Sequence, residues 1–188
     1  MIIIPVANEP VTIDEAKLHL RLTDDIITGD TVEDELVLSL IVAAREYCEN
    51  YTGRALATQT QEMYLDEFPC RNEISLIPDI QSVTSVTLVD GVGDQTVLSE
   101  DIDYLVDVPG SRIVLPYRKT WPAFEPYPIN PIRIRYVTGY TSAPQTIKQA
   151  MLLLIGHWYA NREATGEASG QIDFAVRALL GMFRVRWF

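Results

Sequence analysis

The spacing of apolar residues changes twice along this chain of 188 residues, and those two changes constrain its architecture more than any other feature. From Thr12 to Gly53 apolar side chains recur at the three- and four-residue intervals of a helix buried on one side. From Ala55 to Thr138 the spacing drops to the period of two that marks half-buried strands, and after Pro144 helical spacing returns. Helices, then strands, then helices specify an α+β fold rather than an alternating α/β one. The expected arrangement is a helical bundle formed by N- and C-terminal helices, 1–54 and 139–188, around a central antiparallel β insertion over 55–138. These lengths suit one domain or two small ones. No repeat or low-complexity tract interrupts the pattern.

Local signals fix several boundaries. Thr12-Ile13-Asp14-Glu15 has the form of a capping box, with Ile13, Ala16 and Leu20 on one face behind it. Thr23 to Asp30 is polar and reads as a loop. Thr31, with Glu33, Asp34 and Glu35 after it, caps a second helix and sets carboxylates at its positive end. Leu36, Leu40, Ala43, Tyr47 and Tyr51 form one apolar stripe, and Val37, Ile41, Ala44 and Cys48 form another beside it. So wide a face needs partners on more than one side. Thr52-Gly53 ends the helix. After Pro144, suited to a first turn, Ile147 to Ala160 is apolar nearly all round and belongs at the centre of its layer. A loop is expected over Ala164–Gln171. Asp173 is then expected to cap a last helix with the apolar set Phe174, Val176, Ala178, Leu179, Met182 and Phe183.

Among the strands, Val83 to Val89 ends at the turn signal Asp90-Gly91, and Tyr104–Val108 and Arg112–Leu115 flank Pro109-Gly110-Ser111 as a hairpin. Ile132 to Val137 alternates apolar and basic residues. Between these, Pro116 to Pro131 holds five of the 11 prolines together with Tyr117, Trp121, Phe124 and Tyr127. Such a segment cannot join a central sheet, and its aromatics either fold over their own sheet or anchor a neighbour.

The search for chemistry is negative. No phosphate loop is present, and Gly91-Val92-Gly93-Asp94 opens no helix as a dinucleotide site would. His19 and His157 lack the i+3 or i+4 partners of a metal motif, and no serine sits in a nucleophile elbow. Asp24-Asp25 and Glu33-Asp34-Glu35 could hold Mg²⁺ only if they converged in a closed cleft. A loop and a helix N-terminus explain them more simply. The expectation is a chain that is not an enzyme, with no catalytic, cofactor or metal residues. Cys48 lies on an apolar stripe and reads as a core thiol; with Cys70 it makes no disulfide framework.

Charge narrows the partners. Fifteen Lys and Arg against 26 Asp and Glu leave a net charge of −11, too acidic for a protein that grips duplex DNA through phosphates. Hydrophobic residues make up 47% and charged residues 22%, a globular balance. No apolar run reaches the ~18 residues of a membrane span. Met1-Ile2-Ile3-Ile4-Pro5 is too short for a secretion signal, so a soluble cytosolic product with no membrane contact is expected.

Several stretches together resemble one family. Pro10-Val11-Thr12-Ile13-Asp14-Glu15-Ala16-Lys17-Leu18-His19-Leu20-Arg21 is similar to the opening of the tailed-phage head–tail connectors, also called adaptor or head-completion proteins. Ala43 to Arg54 is similar to the end of their long helix. Tyr136-Val137-Thr138-Gly139-Tyr140, Pro144 to Ala150 and His157 to Glu163 match their later part, and Trp121-Pro122 fits a variant with an inserted β region. The simplest connectors are mostly helical, so 55–138 is the departure.

The resemblance implies a structural protein of the neck, assembled in the host cytoplasm and carried in the virion. Its copies would form a ring, of about twelve, between the portal protein and a downstream neck or tail protein. DNA would pass the channel without specific binding, along a wall that is acidic or neutral. Alternatives are another neck or tail-completion protein, or a metal-dependent nuclease aiding packaging. Interface candidates are Tyr117, Trp121, Phe124 and Tyr127 in the proline-rich loop and Arg184, Arg186, Trp187 and Phe188 at the end. Deleting Arg184–Phe188 is expected to weaken docking without unfolding the chain.

Overall fold

A strand flanked by a neighbour on each side is buried on both edges, and Ile132–Thr138 takes that place in a computed structural model that describes residues 2–4, 6–22, 31–161 and 169–185. The chain is α+β, with helices and antiparallel sheets. It divides into two units, Met1–Ala7 with Thr58–Tyr140, and Asn8–Ala57 with Thr141–Phe188.

The first unit holds the strands. β1 (Ile2–Ile4), β2 (Gln59–Leu65), β4 (Ile80–Val89), β5 (Gln95–Leu98) and β8 (Ile132–Thr138) form one antiparallel sheet in the order β1-β2-β8-β4-β5. β3 (Glu73–Ser75), β6 (Leu105–Asp107) and β7 (Arg112–Val114) form a second, in the order β3-β7-β6. Alternation in β8 does what its sequence specifies: Ile132, Ile134, Tyr136 and Thr138 are buried. Arg135, on the other face, stands opposite Glu62 of β2 and pairs with it at 3.1 Å. Ile74 and Ile113 from the smaller sheet, and Tyr104 just before β6, share one core with Val86, Leu88, Ile132, Ile134 and Tyr136 from the larger.

The expected turn and the expected hairpin are present. β4 and β5 meet at a turn where the Asp90 carboxylate accepts from the amides of Val92 and Asp94, at 3.0 and 2.8 Å. β6 and β7 meet at Pro109-Gly110-Ser111. The apolar start, expected only to be no signal, supplies the edge strand β1, because the free edge of β2 offers unpaired backbone groups.

The second unit holds the helices. α1 (Ile13–Leu20) begins with the expected capping box: Thr12 Oγ1 accepts from the Glu15 amide at 3.1 Å, and Glu15 Oε2 accepts from the Thr12 amide at 2.9 Å. Those bonds matter to pH. The Thr12 amide, then Lys148 at 3.0 Å, holds the Glu15 carboxyl below the ordinary glutamate value. A depressed carboxyl contributes stability that is complete above its unfolded pKa and is lost as pH falls through its folded one. Thr12→Ala is therefore expected to cost about 1 kcal/mol at neutral pH, read as a shift in the urea midpoint. A shift of a few tenths of a kcal/mol would mean that water replaces the cap.

In α2 (Thr31–Thr52) the stripe Val37, Ile41, Ala44 and Cys48 is fully buried, and Leu36, Leu40, Tyr47 and Tyr51 are half-buried beside it. Ala43, expected with them, faces outward. Gly53 ends α2 in the left-handed region, φ +69°, with its amide on the Glu49 carbonyl. α3 (Gln145–Ala160) packs against α1, α2 and α4 (Ser169–Leu180) and buries Ile147, Ala150, Met151, Leu154 and Ile155. Pro144 precedes it as the N-cap residue, one position earlier than a first-turn residue.

Two expectations at the last helix need correction. α4 starts at Ser169, so Ser169–Gln171 is helix and Asp173 lies inside it; packing on α3 outweighs the weak helical preference of serine and glycine. Its apolar set is also not all core. Val176 is buried, and Leu179 and Phe183 are half-buried, but Phe174, Ala178 and Met182 face outward; Leu180, not among that set, is buried. The loop expected over Thr23–Asp30, and positions 164–168, lie outside the described residues.

Candidate interaction surfaces

Aromatic rings expose apolar area at little conformational cost, so where a chain leaves them uncovered is informative. The proline-rich loop divides its four. Trp121 stacks on Phe68 with ring centroids 4.6 Å apart and planes 4° from parallel, and its indole N–H donates to the Arg71 carbonyl at 3.0 Å. Phe124 meets the same Phe68 edge-on at 6.2 Å. Both are half-buried against the core of their own unit. The loop is held there by an antiparallel bridge between Asp90 and Pro126. Tyr117 and Tyr127 point outward instead, and Tyr117 is 87% exposed with the Arg118 guanidinium 5.2 Å from its ring centre.

The end of the chain is tied down as far as the structure describes it. The Val185 amide donates to the Thr52 carbonyl at 2.8 Å, and Arg54 Nε donates to the Phe183 carbonyl at 2.8 Å. The first of these bonds closes an open carbonyl at the C-terminus of α2. Arg184 is exposed, with its guanidinium 5.4 Å from the ring centre of Tyr51. Arg186, Trp187 and Phe188 lie outside the described residues.

Two of the carboxylates that could have drawn a cation serve the fold. Asp34 pairs with Lys17 at 2.6 Å and Glu33 accepts from the Tyr159 hydroxyl at 3.2 Å. Asp24 and Asp25 lie outside the described residues, among which no three His, Cys, Asp or Glu side chains gather to hold a metal. His157 is half-buried with Asn161 Nδ2 3.1 Å from its Nδ1. His19 is exposed and lies near Gly156 of α3, where a Cβ would sit 3.3 Å from its Nε2. Burial pushes the Cys48 thiol up to about 12, so it stays protonated and inert; Cys70 is exposed. No described helix is long and apolar enough to cross a membrane.

The family model for head completion proteins matches residues 22–179. The chain belongs to the head completion protein family. The family expected from those sequence stretches is thus the family found.

Solved structures extend the likeness over the whole length of this head completion protein. One is a chain of the neck of an empty gene transfer agent (GTA) particle, computed with C6 symmetry. It is 25% identical, with a TM-score of 0.82 over 100% of this chain and 96% of that one. A chain from the virion of a native GTA particle is 24% identical, with a TM-score of 0.79 over 100% and 96%. A third, from the neck of a native GTA particle computed with C12 symmetry, is 23% identical, with a TM-score of 0.73 over 100% and 97%. The latter two attest the shared fold. No curated protein sequence matches.

Sequence reasoning missed a second apolar surface on this head completion protein. Phe174 on the outer side of α4 and Met182 in the turn after it are 76% and 72% exposed, and Leu38 and Val42 are exposed on α2. One signal was available: apolar side chains occupy more of the α4 circumference than a single contact with α3 can cover.

Proposed function

We propose that this protein is a structural component of the neck of a phage-type particle, its copies forming a ring between the portal and the tail. The ring would extend the DNA channel after packaging. The observation that carries this reading is the full-length likeness, at a TM-score of 0.82, to a chain of a GTA neck, in a protein of the head completion family. The C6 and C12 symmetries of the matched necks support a cyclic arrangement. A net charge of −11 suits a channel that lets DNA move, because it repels phosphates instead of holding them.

In this reading the helices form the bundle that serves as the connector proper, and the strands between them are an insertion. Tyr117 and Tyr127 meet neighbouring neck components, as do Arg184, Arg186, Trp187 and Phe188 at the end. No step of chemistry is required of any residue.

The test is reconstitution. DNA-filled heads made without this protein are expected to leak DNA and to accept no tails until purified protein is added. Heads that join tails equally well without it would overturn the reading. Protein ending at Val185 keeps the bond to Thr52 and tests the tail by itself. Its binding to portal-bearing heads is expected to weaken about tenfold or more, as for loss of an aromatic anchor. Unchanged binding would remove Arg186–Phe188 from the interface.

A further inference from the structure

The outer faces of α4 and α2 differ in a way that matters for how one copy meets the next. On α4 and the turn after it, Phe174, Ala175, Ala178, Gly181 and Met182 are all exposed and none is polar. Arg177 and Arg184 are exposed beside them. On α2, Leu38 and Val42 lie one turn apart on the exposed face, between Glu35 and Glu46, which are exposed too. Each face is an apolar strip with charge at its border, basic on α4 and acidic on α2.

We infer that the outer face of α4 in one copy packs on the outer face of α2 in the next, and this rests on the ring reading above. Charge selects the pairing. Two α4 faces brought together would set arginines against arginines, and two α2 faces would set glutamates against glutamates. α4 on α2 joins opposite signs around a shared apolar centre. The contact is heterologous, one patch on a different patch, and that is the kind that closes a ring when the rotation allows. The apolar strip supplies the affinity and the charged border excludes the two self-pairings. Each contact need only be modest, because closure makes the last one intramolecular.

Crosslinking tests the pairing in the full chain. Exposed Cys70 is first replaced by serine, leaving only the buried Cys48 thiol. Leu38→Cys and Met182→Cys are then introduced together and singly. A short bis-maleimide is used because a disulfide would require Cα atoms within about 7 Å. The double variant is expected to give a ladder of covalent dimers, trimers and larger species, while each single variant stays monomeric, because its one new thiol faces a residue that is not cysteine. Phe174→Glu is expected to raise the concentration for half-assembly about tenfold or more without moving the thermal transition, since the side chain is exposed.

Native mass spectrometry of the unlinked chain separates the possible failures. Oligomers that persist without the ladder, or that ignore Phe174→Glu, overturn the inference and leave the ring reading standing. A ladder from Met182→Cys alone is excluded by chemistry, but efficient dimers from it would show an α4–α4 contact and overturn the inference as well. Loss of portal binding in Phe174→Glu, with self-assembly intact, would assign the α4 face to the portal instead and overturn it. If the free chain is monomeric at every concentration, the crosslinking is repeated on portal-bearing heads, where absence of the ladder overturns the inference while tail joining judges the ring reading separately.

Discussion

Ile134→Ala is expected to remove about 2–5 kcal/mol of stability from the β-rich unit. Ile134 is fully buried in the middle of β8, the strand paired with β2 on one side and β4 on the other. It stands opposite Met63 on β2 and Val86 on β4, and it belongs to the core shared by both sheets. Alanine would leave a cavity with neighbours on every side, and a strand held at both edges cannot shift to fill it. Urea unfolding followed through Trp121, whose ring is stacked on Phe68, reads the loss directly. Amide exchange should rise together along β2, β4 and β8. Val137→Ala, on the half-buried opposite face of the same strand, is the control and should cost less. Equal costs for the two would mean that β8 is not the organising strand of its sheet.

That expectation could not have been written from the sequence, and the reason is physical. The alternation in Ile132–Val137 was legible because side-chain direction in a strand depends on position alone. The Thr12 capping box and the stop at Gly53 were legible for the same reason: each partner lies within four residues. The place of β8 between β2 and β4 depends on pairs such as Gln61 with Tyr136, which no local rule connects. The same distinction covers the surfaces. Trp121 and Phe124 announced an apolar loop, but their packing on Phe68 depended on a residue some fifty positions away. Phe174 and Met182 lie in an apolar set that includes Val176 and Leu179, and periodicity gives the width of such a face, not how much of it the chain itself covers. The family was legible where the fold was not, because its signs are short stretches in a fixed order.

Arg45→Met is expected to destabilise the helical unit by about 3–5 kcal/mol near neutral pH, and by less in mildly acidic buffer. Arg45 is a buried cation on α2, with Nε 2.9 Å from Glu9 and Nη1 2.6 Å from Glu49. Glu49 also accepts from the Leu56 amide at 2.9 Å, so one carboxylate ties α2 to the segment that follows it. Methionine fits the volume but leaves that carboxylate in the interior without its cation. Burial already pushes the Glu49 carboxyl above the ordinary glutamate value, against the opposing pull of the Leu56 amide and Arg45. Without Arg45 the rise must grow. A carboxyl raised on folding binds more protons in the native state than in the unfolded one, so stability falls as pH climbs from the unfolded to the folded pKa. The Arg45→Met deficit should therefore be largest above that window and shrink below it, as Glu49 takes up a proton. Glu49→Gln in the same background should restore much of the loss at neutral pH and remove the pH dependence. Urea midpoints of the unaltered chain and the two variants across mildly acidic to neutral pH would check this. A deficit that did not change with pH would mean that packing by the Arg45 side chain, not its charge, is what the helical unit needs.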